Sequence, residues 1–196
     1  MIVTEIKQLQ TICENVSSVE EGEEIGAQLL KELTETQNGI GLAAPQIAIQ
    51  KRVCVVNVKE PLVLINPKIV ETSEETFIFP EGCLSFPNRH VRTTRFTSVI
   101  VEADNHEGQL SFSADSEDVN DAFECACVQH EINHLDGLTM FDFEYKQEPI
   151  KVEKKFGRNE KVTITDGKDT KELKYKKALP LIDSGKWEIY ISGPLT

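Results

Sequence analysis

The pattern His130-Glu131-Ile132-Asn133-His134 constrains this chain more than any other part of its sequence. If the segment is helical, residues four positions apart share a face, so both imidazoles can bind the same metal ion. Glu131 lies one position along, where its carboxylate can take a proton from a water molecule activated by that ion. The alternative is a coincidental pair of surface histidines. The pattern predicts a metal site on a helix.

A helix is predicted around this pattern, over about residues 117–135. Ser116 is the predicted N-cap, acidic residues occupy the first turns, where the helix dipole favours them, and Gly137 is the predicted stop. Buried imidazoles need a partner, and a metal ion supplies one. Spacings of three and four predict one buried face that the two histidines extend: Val119, Phe123, Ala126, Cys127, His130 and His134.

A catalytic metal site needs a third protein ligand and one open position. Cys83 is a candidate, because thiolate is a strong metal ligand and the residue lies in the glycine-containing segment 80–87, just after a predicted strand. An ordinary buried cysteine is the alternative at this position. Cys125 and Cys127 are interpreted as packing residues, although Cys127 can also line the site. The other candidate ligands are acidic residues downstream of the helix: Asp142, Glu144, Glu148 and Glu153.

A segment of small residues, 39–46, is the third feature of interest. Its glycines let the backbone pass close to another group, and its alanines have side chains small enough to keep this part of a site wall thin. It lacks the Lys-Ser/Thr pair of a phosphate-binding loop. A tight turn without further function is the alternative. Gln46, at its end, can donate its amide to a developing oxyanion.

Charge and composition limit the classes of protein to which this chain can belong. The 196 residues carry a formal net charge of −12 at pH 7, which argues against holding DNA or an anionic membrane with the whole surface. Five cysteines, an odd number, and an N-terminus without a secretory signal predict a reduced, cytoplasmic protein without a disulfide framework. No apolar run approaches the roughly 20 residues needed to span a bilayer, so no membrane partner is expected.

The charge also divides the chain. Residues 1–142 carry 9 lysines and arginines against 24 acidic residues, whereas residues 143–196 carry 12 against 9. We therefore predict a main domain over residues 1–145 and a basic C-terminal extension over residues 146–196.

The predicted fold class is α+β. A helix over residues 19–36 is capped by Ser17 or Ser18, with glutamates placed to complete a capping box. The fold then consists of antiparallel or mixed β-sheets packed around the buried HExxH helix, with this N-terminal helix and a C-terminal β-hairpin extension that turns at Asp166-Gly167. The predicted strands cover residues 53–58, 62–65, 69–72, 76–79, 97–103, 109–113, 161–165 and 172–177.

Three segments in this order resemble the peptide deformylases. Residues 39–46 match G-x-G-x-A-A-x-Q, residues 81–85 match E-G-C-x-S, and residues 130–134 match H-E-x-x-H. The resemblance covers about residues 1–145. It implies a metal-dependent amidohydrolase that removes the formyl group from formyl-methionyl nascent peptides and releases formate. It also implies one divalent ion, natively Fe2+, for which Zn2+, Ni2+ or Co2+ can substitute.

The resemblance also implies a role for each matching residue. Cys83, His130 and His134 would be the metal ligands, and Glu131 would be the general base and then the general acid. The Gln46 amide and the backbone N–H of Leu84 would bind the oxyanion. The residues that would shape the site or line a pocket for the methionine side chain are Ile40, Gly41, Phe79, Glu81, Phe123, Ala126 and Cys127.

The sequence departs from the family pattern at two positions near the site. Asn133 stands where aspartate is usual, and the arginine that commonly pairs with that aspartate corresponds to Arg95. His90 replaces a frequent basic residue that contacts substrate. We expect Asn133 to tune the site without abolishing its activity.

Two other functions are kept as alternatives. One is an HExxH zinc metallopeptidase whose third ligand is a downstream acid such as Glu153. The other is a non-catalytic protein with a structural metal whose basic tail holds the ribosome or RNA. In a deformylase, the extension over residues 146–196 would be either a ribosome-docking element or a solvated structural appendage.

Overall fold

The structure is a computed structural model and describes residues 2–36, 39–146 and 156–190. The chain divides into two compact units, residues 1–145 and residues 146–196, and each is treated by itself. Among the described residues, no helix combines the length and the apolar character needed to cross a bilayer.

The described residues of the first unit form three α-helices, two short 3-10 helices (Ala44–Ile47 and Met140–Phe143) and three small sheets, and every pairing between these strands is antiparallel. The α-helices and strands are α1 (Ile6–Leu9), α2 (Val19–Glu35), β1 (Gly41–Ala43), β2 (Val53–Asn57), β3 (Pro61–Ile65), β4 (Lys68–Thr72), β5 (Thr76–Gly82), β6 (His90–Phe96), β7 (Ser98–Glu102), β8 (Leu110–Ser113) and α3 (Val119–Leu135). The sheets have the strand orders β1-β2-β3, β4-β7-β8 and β5-β6. This arrangement confirms the predicted α+β class.

The helix α2 forms where the sequence predicts it. The Ser18 side chain accepts a hydrogen bond from the N–H of Glu21, and the Glu21 carboxylate accepts one from the N–H of Ser17, which makes a reciprocal cap. A Cβ atom on Gly22 would lie 2.5 Å from a methyl carbon of Ile65. The glycine therefore allows α2 to lie close against β3.

The helix α3 is buried along its C-terminal half. Residues from Cys125 to Ile132 are all buried, and the core around them includes Cys54, Val99 and Phe112 from three different strands. This environment brings the HExxH residues into the interior, as the pattern predicts.

The first turns of α3 differ from the prediction. Val119 is 64% exposed and Phe123 is 39% exposed, so the buried face begins only about two turns into the helix. The N-cap is Asp118, whose side chain accepts a hydrogen bond from the N–H of Asn120. Ser116 was the wrong choice, because its hydroxyl accepts from the N–H of Asp118 and so stabilises the approach to the helix.

Two strands of the first unit were not predicted. The strand β1 is three residues long and lies within the glycine-rich segment. The strand β6 pairs with β5 along its length, with Glu81 opposite Val91, yet its buried positions are the polar residues Thr93 and Arg95. Polar residues at buried positions hide the alternation by which a strand is recognised.

Within its described residues, 156–190, the second unit is a three-stranded antiparallel sheet with one helix. The strands β9 (Lys161–Thr165), β10 (Thr170–Lys174) and β11 (Glu188–Tyr190) have the order β10-β9-β11, and α4 (Tyr175–Asp183) packs its Ala178 into their core. The hairpin predicted at Asp166-Gly167 is confirmed. The strand predicted to continue to residue 177 is wrong, because β10 ends at Lys174 and the helix begins at the next residue.

Candidate active site

Three potential metal-ligand atoms converge beside the buried half of α3. The Sγ atom of Cys83 lies 3.3 Å from Nε2 of His134, and the two Nε2 atoms of His134 and His130 lie 3.2 Å apart. Among the described residues, these three form a group whose ligand atoms all lie within 4.8 Å of one another. One sulfur and two imidazole nitrogens match the ligand preferences of zinc and of ferrous iron.

The fold supplies these ligands from two elements. Cys83 directly follows β5, and both histidines lie on successive turns of α3. Gln129 links α3 to β6, since its side chain accepts a hydrogen bond from the N–H of Phe96 at 3.0 Å and donates one to the carbonyl of Phe96 at 3.0 Å. The helix therefore has a fixed position against the β5-β6 hairpin.

A buried ion pair orients His130. The Glu81 carboxylate accepts hydrogen bonds from Nε and Nη2 of Arg95, from the Thr93 hydroxyl at 2.7 Å and from Nδ1 of His130 at 2.8 Å. Burial raises the pKa of Glu81, but the hydrogen bonds from Arg95 and His130 outweigh it and lower that pKa to about 2. Because Nδ1 is bound to Glu81, Nε2 of His130 is left to face a metal ion.

The two imidazoles differ in their tendency to carry a proton. Burial holds the pKa of His134 well below its ordinary value, which favours the neutral form that binds metals. Burial also lowers the pKa of His130, but hydrogen bonds with Cys83 and Glu81 outweigh it and raise that pKa to about 10. The neutral form with its proton on Nδ1, toward Glu81, is the one in which Nε2 of His130 can bind a metal ion.

Glu131 has the environment of a general base. Its side chain is buried, and burial raises its pKa to about 7, opposed by the nearby His130. Its Oε2 atom has no hydrogen-bond partner among the described residues. A carboxyl group with a pKa near neutrality and one unoccupied oxygen is suited to taking and returning a proton.

Gln46 and Leu84 lie beside Cys83 with donors available. The Gln46 carbonyl oxygen accepts from the N–H of Ala43 at 2.8 Å, so its amide nitrogen points toward Cys83 Sγ at 3.4 Å and Ser85 Oγ at 3.2 Å. The backbone N–H of Leu84 has no acceptor in the part of the chain that the structure describes. Two such donors next to a reacting centre are the elements of an oxyanion hole.

A pocket of about 520 Å³ opens in front of these groups. Phe79 and Phe123 form one wall, with their rings edge to face and their centroids 5.0 Å apart. His90 also lines the pocket. The pocket lining includes every residue for which the resemblance implies a pocket or site-shaping role: Ile40, Gly41, Phe79, Glu81, Phe123, Ala126 and Cys127.

The downstream acids lie elsewhere or outside the described residues. The Asp142 carboxylate accepts hydrogen bonds from the N–H and the hydroxyl of Thr139, at 2.8 and 3.0 Å. Glu144 forms an isolated bridge with Thr93 and is exposed. Glu148 and Glu153 fall in residues 147–155, which the structure does not describe.

Comparison with known proteins agrees with this geometry. A sequence model of the polypeptide deformylase family matches residues 2–148 of the chain. The chain belongs to the polypeptide deformylase family. The peptide deformylase of Pseudoalteromonas translucida is 37% identical over 144 residues, which covers 70% of this chain and 81% of the relative.

Solved structures of deformylases share the fold. The peptide deformylase of Thermotoga maritima superimposes with a TM-score of 0.66 at 27% identity, covering 74% of this chain and 97% of that one. A probable peptide deformylase from Synechococcus phage S-SSM7 gives a TM-score of 0.62 at 32% identity, covering 73% and 98%. The chain is therefore a metal-dependent hydrolase by family, and its site contains ligands suited to one ion.

Sequence reasoning missed several residues that hold the deformylase site together. Thr93 and Gln129 are buried and fix Glu81 and α3, respectively, while Ser85 contacts Gln46. Thr93 lies two positions before Arg95, and that period of two is the signal that could have revealed a strand with a polar inner face. Gln129 offers no such signal, because its partner is the backbone of a distant residue.

Proposed function

We propose that this chain removes the N-terminal formyl group from formyl-methionyl nascent peptides and that residues 1–145 form its catalytic domain. The observation that carries the proposal is the convergence of Cys83, His130 and His134 beside an unpartnered carboxylate oxygen of Glu131. A purely structural metal site needs neither that carboxylate nor the amide of Gln46. Both groups therefore favour a catalyst over a non-catalytic metal protein.

The pocket supports methionine as the first residue of the substrate. Its wall combines the edge-to-face rings of Phe79 and Phe123 with the sulfur of Cys127. Thioether sulfur makes favourable contacts with aromatic rings, and an unbranched side chain adapts to an irregular pocket. The formyl group would then lie toward Cys83 and Glu131, at the buried end of the site.

The chemistry assigned to the residues follows from their positions. A divalent ion held by Cys83, His130 and His134 would acidify a water molecule and polarise the formyl carbonyl. Glu131 takes the proton from the attacking water and returns it to the leaving amine. The Gln46 amide and the Leu84 N–H donate hydrogen bonds to the oxygen that becomes negative as the tetrahedral centre forms.

We propose ferrous iron as the native ion, with Zn2+, Ni2+ or Co2+ able to replace it. A thiolate with two imidazoles accommodates each of these ions. Metal analysis of protein purified without oxygen tests the choice. We expect one iron per chain, and a stoichiometric content of a different metal from such a preparation would contradict it.

The reaction is tested by the products formed from a short formyl-methionyl peptide. A deformylase releases formate and leaves a peptide of unchanged length with a free amine, whereas a peptidase shortens the peptide. Formate in equal amount to the new amine supports the proposal. A shortened peptide without formate would favour the metallopeptidase alternative.

The ligand assignment is tested separately by Cys83→Ala. We expect this variant to lose metal and activity, because two imidazoles alone leave the ion without its thiolate. Glu153→Ala is the matched control, since Glu153 is the ligand named for a peptidase. Metal loss in the control with retention in Cys83→Ala would overturn the assignment.

We propose a cytoplasmic location for the protein, where nascent formyl-methionyl peptides are made, and a ribosomal contact through residues 146–196. Charge supports the ribosomal contact: three exposed lysines lie within four residues where β10 joins α4, and exposed lysines of this kind bind RNA phosphates. Full-length protein with all three changed to glutamate should co-sediment less with ribosomes at low salt than the unchanged chain. The three residues are Lys174, Lys176 and Lys177.

The matched control reverses three exposed lysines of the first unit, and it should leave co-sedimentation unchanged. Equal loss in both triple variants would mean that net charge alone governs binding. Unchanged binding in the tail variant would reject the ribosomal contact and leave the extension a structural appendage. The control residues are Lys7, Lys31 and Lys68.

A further inference from the structure

Ser85 is a buried polar residue to which the chemistry above assigns no role. It is 1% exposed and lies two residues after Cys83, in the turn that follows β5. Gln46, also 1% exposed, donates its side-chain amide to the Ser85 hydroxyl at 3.2 Å. This contact joins the glycine-rich segment to the turn that carries the metal-ligating cysteine.

The orientation of the Gln46 amide is set at both of its ends. The N–H of Ala43 is a donor, so the group it meets at 2.8 Å is the carbonyl oxygen of Gln46 and not its nitrogen. The amide nitrogen consequently faces the opposite way, toward Ser85 Oγ and Cys83 Sγ. A flipped amide would place two donors against each other at Ala43.

The two acceptors on the nitrogen side are unequal. Sulfur is a weak acceptor, and the Cys83 sulfur is also assigned to the metal ion. The Ser85 hydroxyl is therefore the acceptor that remains for one N–H of Gln46. Because that N–H is occupied and the amide group is planar, the second N–H of Gln46 has a fixed direction. It lies on the side of the pocket, which Gln46 lines.

We propose that Ser85 is a positioning residue that holds the Gln46 amide in the orientation needed to donate to the oxyanion of the formyl transition state. The proposal rests on the proposed deformylase function. A fixed donor avoids reorganisation as charge develops, whereas a side chain free to rotate donates only part of the time. The ordinary alternative is that Ser85 fills a small buried space and acts only on folding.

The test combines Ser85→Ala with Gln46→Ala in full-length, metal-loaded protein. We expect Ser85→Ala to lower kcat about tenfold with KM changed less than about twofold, because it acts on the transition state. Gln46→Ala should lower kcat by about 10² to 10³. Adding Ser85→Ala to Gln46→Ala should have no further effect, because the group that it positions is gone.

Two further measurements separate positioning from packing. Ser85→Thr keeps the hydroxyl, so its kcat should lie closer to that of the unchanged chain than the kcat of Ser85→Ala does. The side-chain amide protons of Gln46, followed by NMR in the zinc-loaded protein, should exchange with solvent faster in Ser85→Ala than in the unchanged chain.

An equal fall in kcat from Ser85→Ala with and without Gln46→Ala would overturn the proposal, as would unaltered exchange of the Gln46 amide. A different result is expected if the proposed deformylase function itself is wrong. In that case the unchanged, metal-loaded chain releases no formate, whereas the exchange measurement still reports whether Ser85 fixes Gln46.

Discussion

Gly41 occupies a position where no side chain fits. A Cβ atom there would overlap the carboxylate of Glu131 and lie 2.5 Å from the Cys127 sulfur. Gly41→Ala should therefore displace Glu131 and lower kcat/KM for a formyl-methionyl peptide by about 10², because small misplacements of a catalytic group are costly.

The matched control for Gly41 is Gly157→Ala. A Cβ atom on Gly157 has its nearest neighbour at 3.9 Å, an ordinary contact distance, so deformylation should be unchanged. Steady-state kinetics of both variants provide the comparison. Full activity in Gly41→Ala would contradict the prediction that a Cβ atom at this position moves the Glu131 carboxylate out of its working position.

Asn133 replaces one negative charge of the usual family pattern with a neutral amide. Its Oδ1 atom accepts a hydrogen bond from Nη1 of Arg95, while the other two guanidinium nitrogens, Nε and Nη2, donate to Glu81. Asn133→Asp keeps the acceptor and adds a charge, so we expect kcat/KM to change by less than about tenfold. An increase of several orders of magnitude would mean that asparagine cripples the native site.

At the scale of elements, one buried guanidinium joins β5, β6 and α3. Arg95 is 2% exposed, and its removal would leave the Glu81 carboxylate buried and without its main partner. Arg95→Met should lower the free energy of unfolding by about 3 kcal/mol, within the range measured for broken buried pairs. Urea denaturation measures the change.

Arg92→Met is the control on the same strand. Arg92 is exposed and lies over the ring of Tyr145 at 6.0 Å, so its replacement should cost less than about 0.5 kcal/mol. If Arg95→Met is as mild as this control, the ion pair does not hold the three elements together.

The long helices were predictable because local signals mark where they lie. α2 has a Ser-Glu cap and an apolar stripe. α3 has a spaced apolar pattern that ends in the two histidines, although its first members, Val119 and Phe123, are exposed. The strand β6 was not predictable in this way, because its inner face consists of Thr93 and Arg95. Those polar side chains can be buried only because the Glu81 carboxylate on the paired strand accepts their hydrogen bonds.

The residues of the proposed site could be predicted from the sequence, whereas the contacts that hold those residues in place could not. Three short segments predict the proposed ligands and base, and the fold brings them together at one pocket, which Phe79 and Phe123 from outside those segments also line. The contacts of Gln129 with the backbone of Phe96, and of Gln46 with Ser85, join residues far apart in the chain. No local pattern encodes such contacts, so they required the folded structure.

At the scale of the whole molecule, the five cysteines divide by exposure. Burial raises the pKa of four thiols: that of Cys13 to about 11, that of Cys125 more modestly, and those of Cys54 and Cys127 well above the ordinary value. Cys83 alone among the five is half-buried, and it lines the open pocket.

Alkylation of the folded, metal-free chain should therefore modify Cys83 before any other cysteine, since reaction needs access and thiolate. Loading one equivalent of zinc should protect it. Peptide mapping after a short treatment with iodoacetamide gives the order. Modification of Cys83 at the same rate with and without metal would contradict its assignment as a ligand.

Release of formate from a formyl-methionyl peptide by the iron-loaded chain, compared with its Glu131→Gln variant, tests the proposed deformylation directly. The side-chain volumes are nearly equal, but the amide cannot take a proton from water. We predict steady formate release by the unchanged chain and a loss of at least about 10² in kcat for the variant. No formate from the unchanged, iron-loaded chain would exclude the deformylase function, and equal rates for the two would exclude Glu131 as the general base.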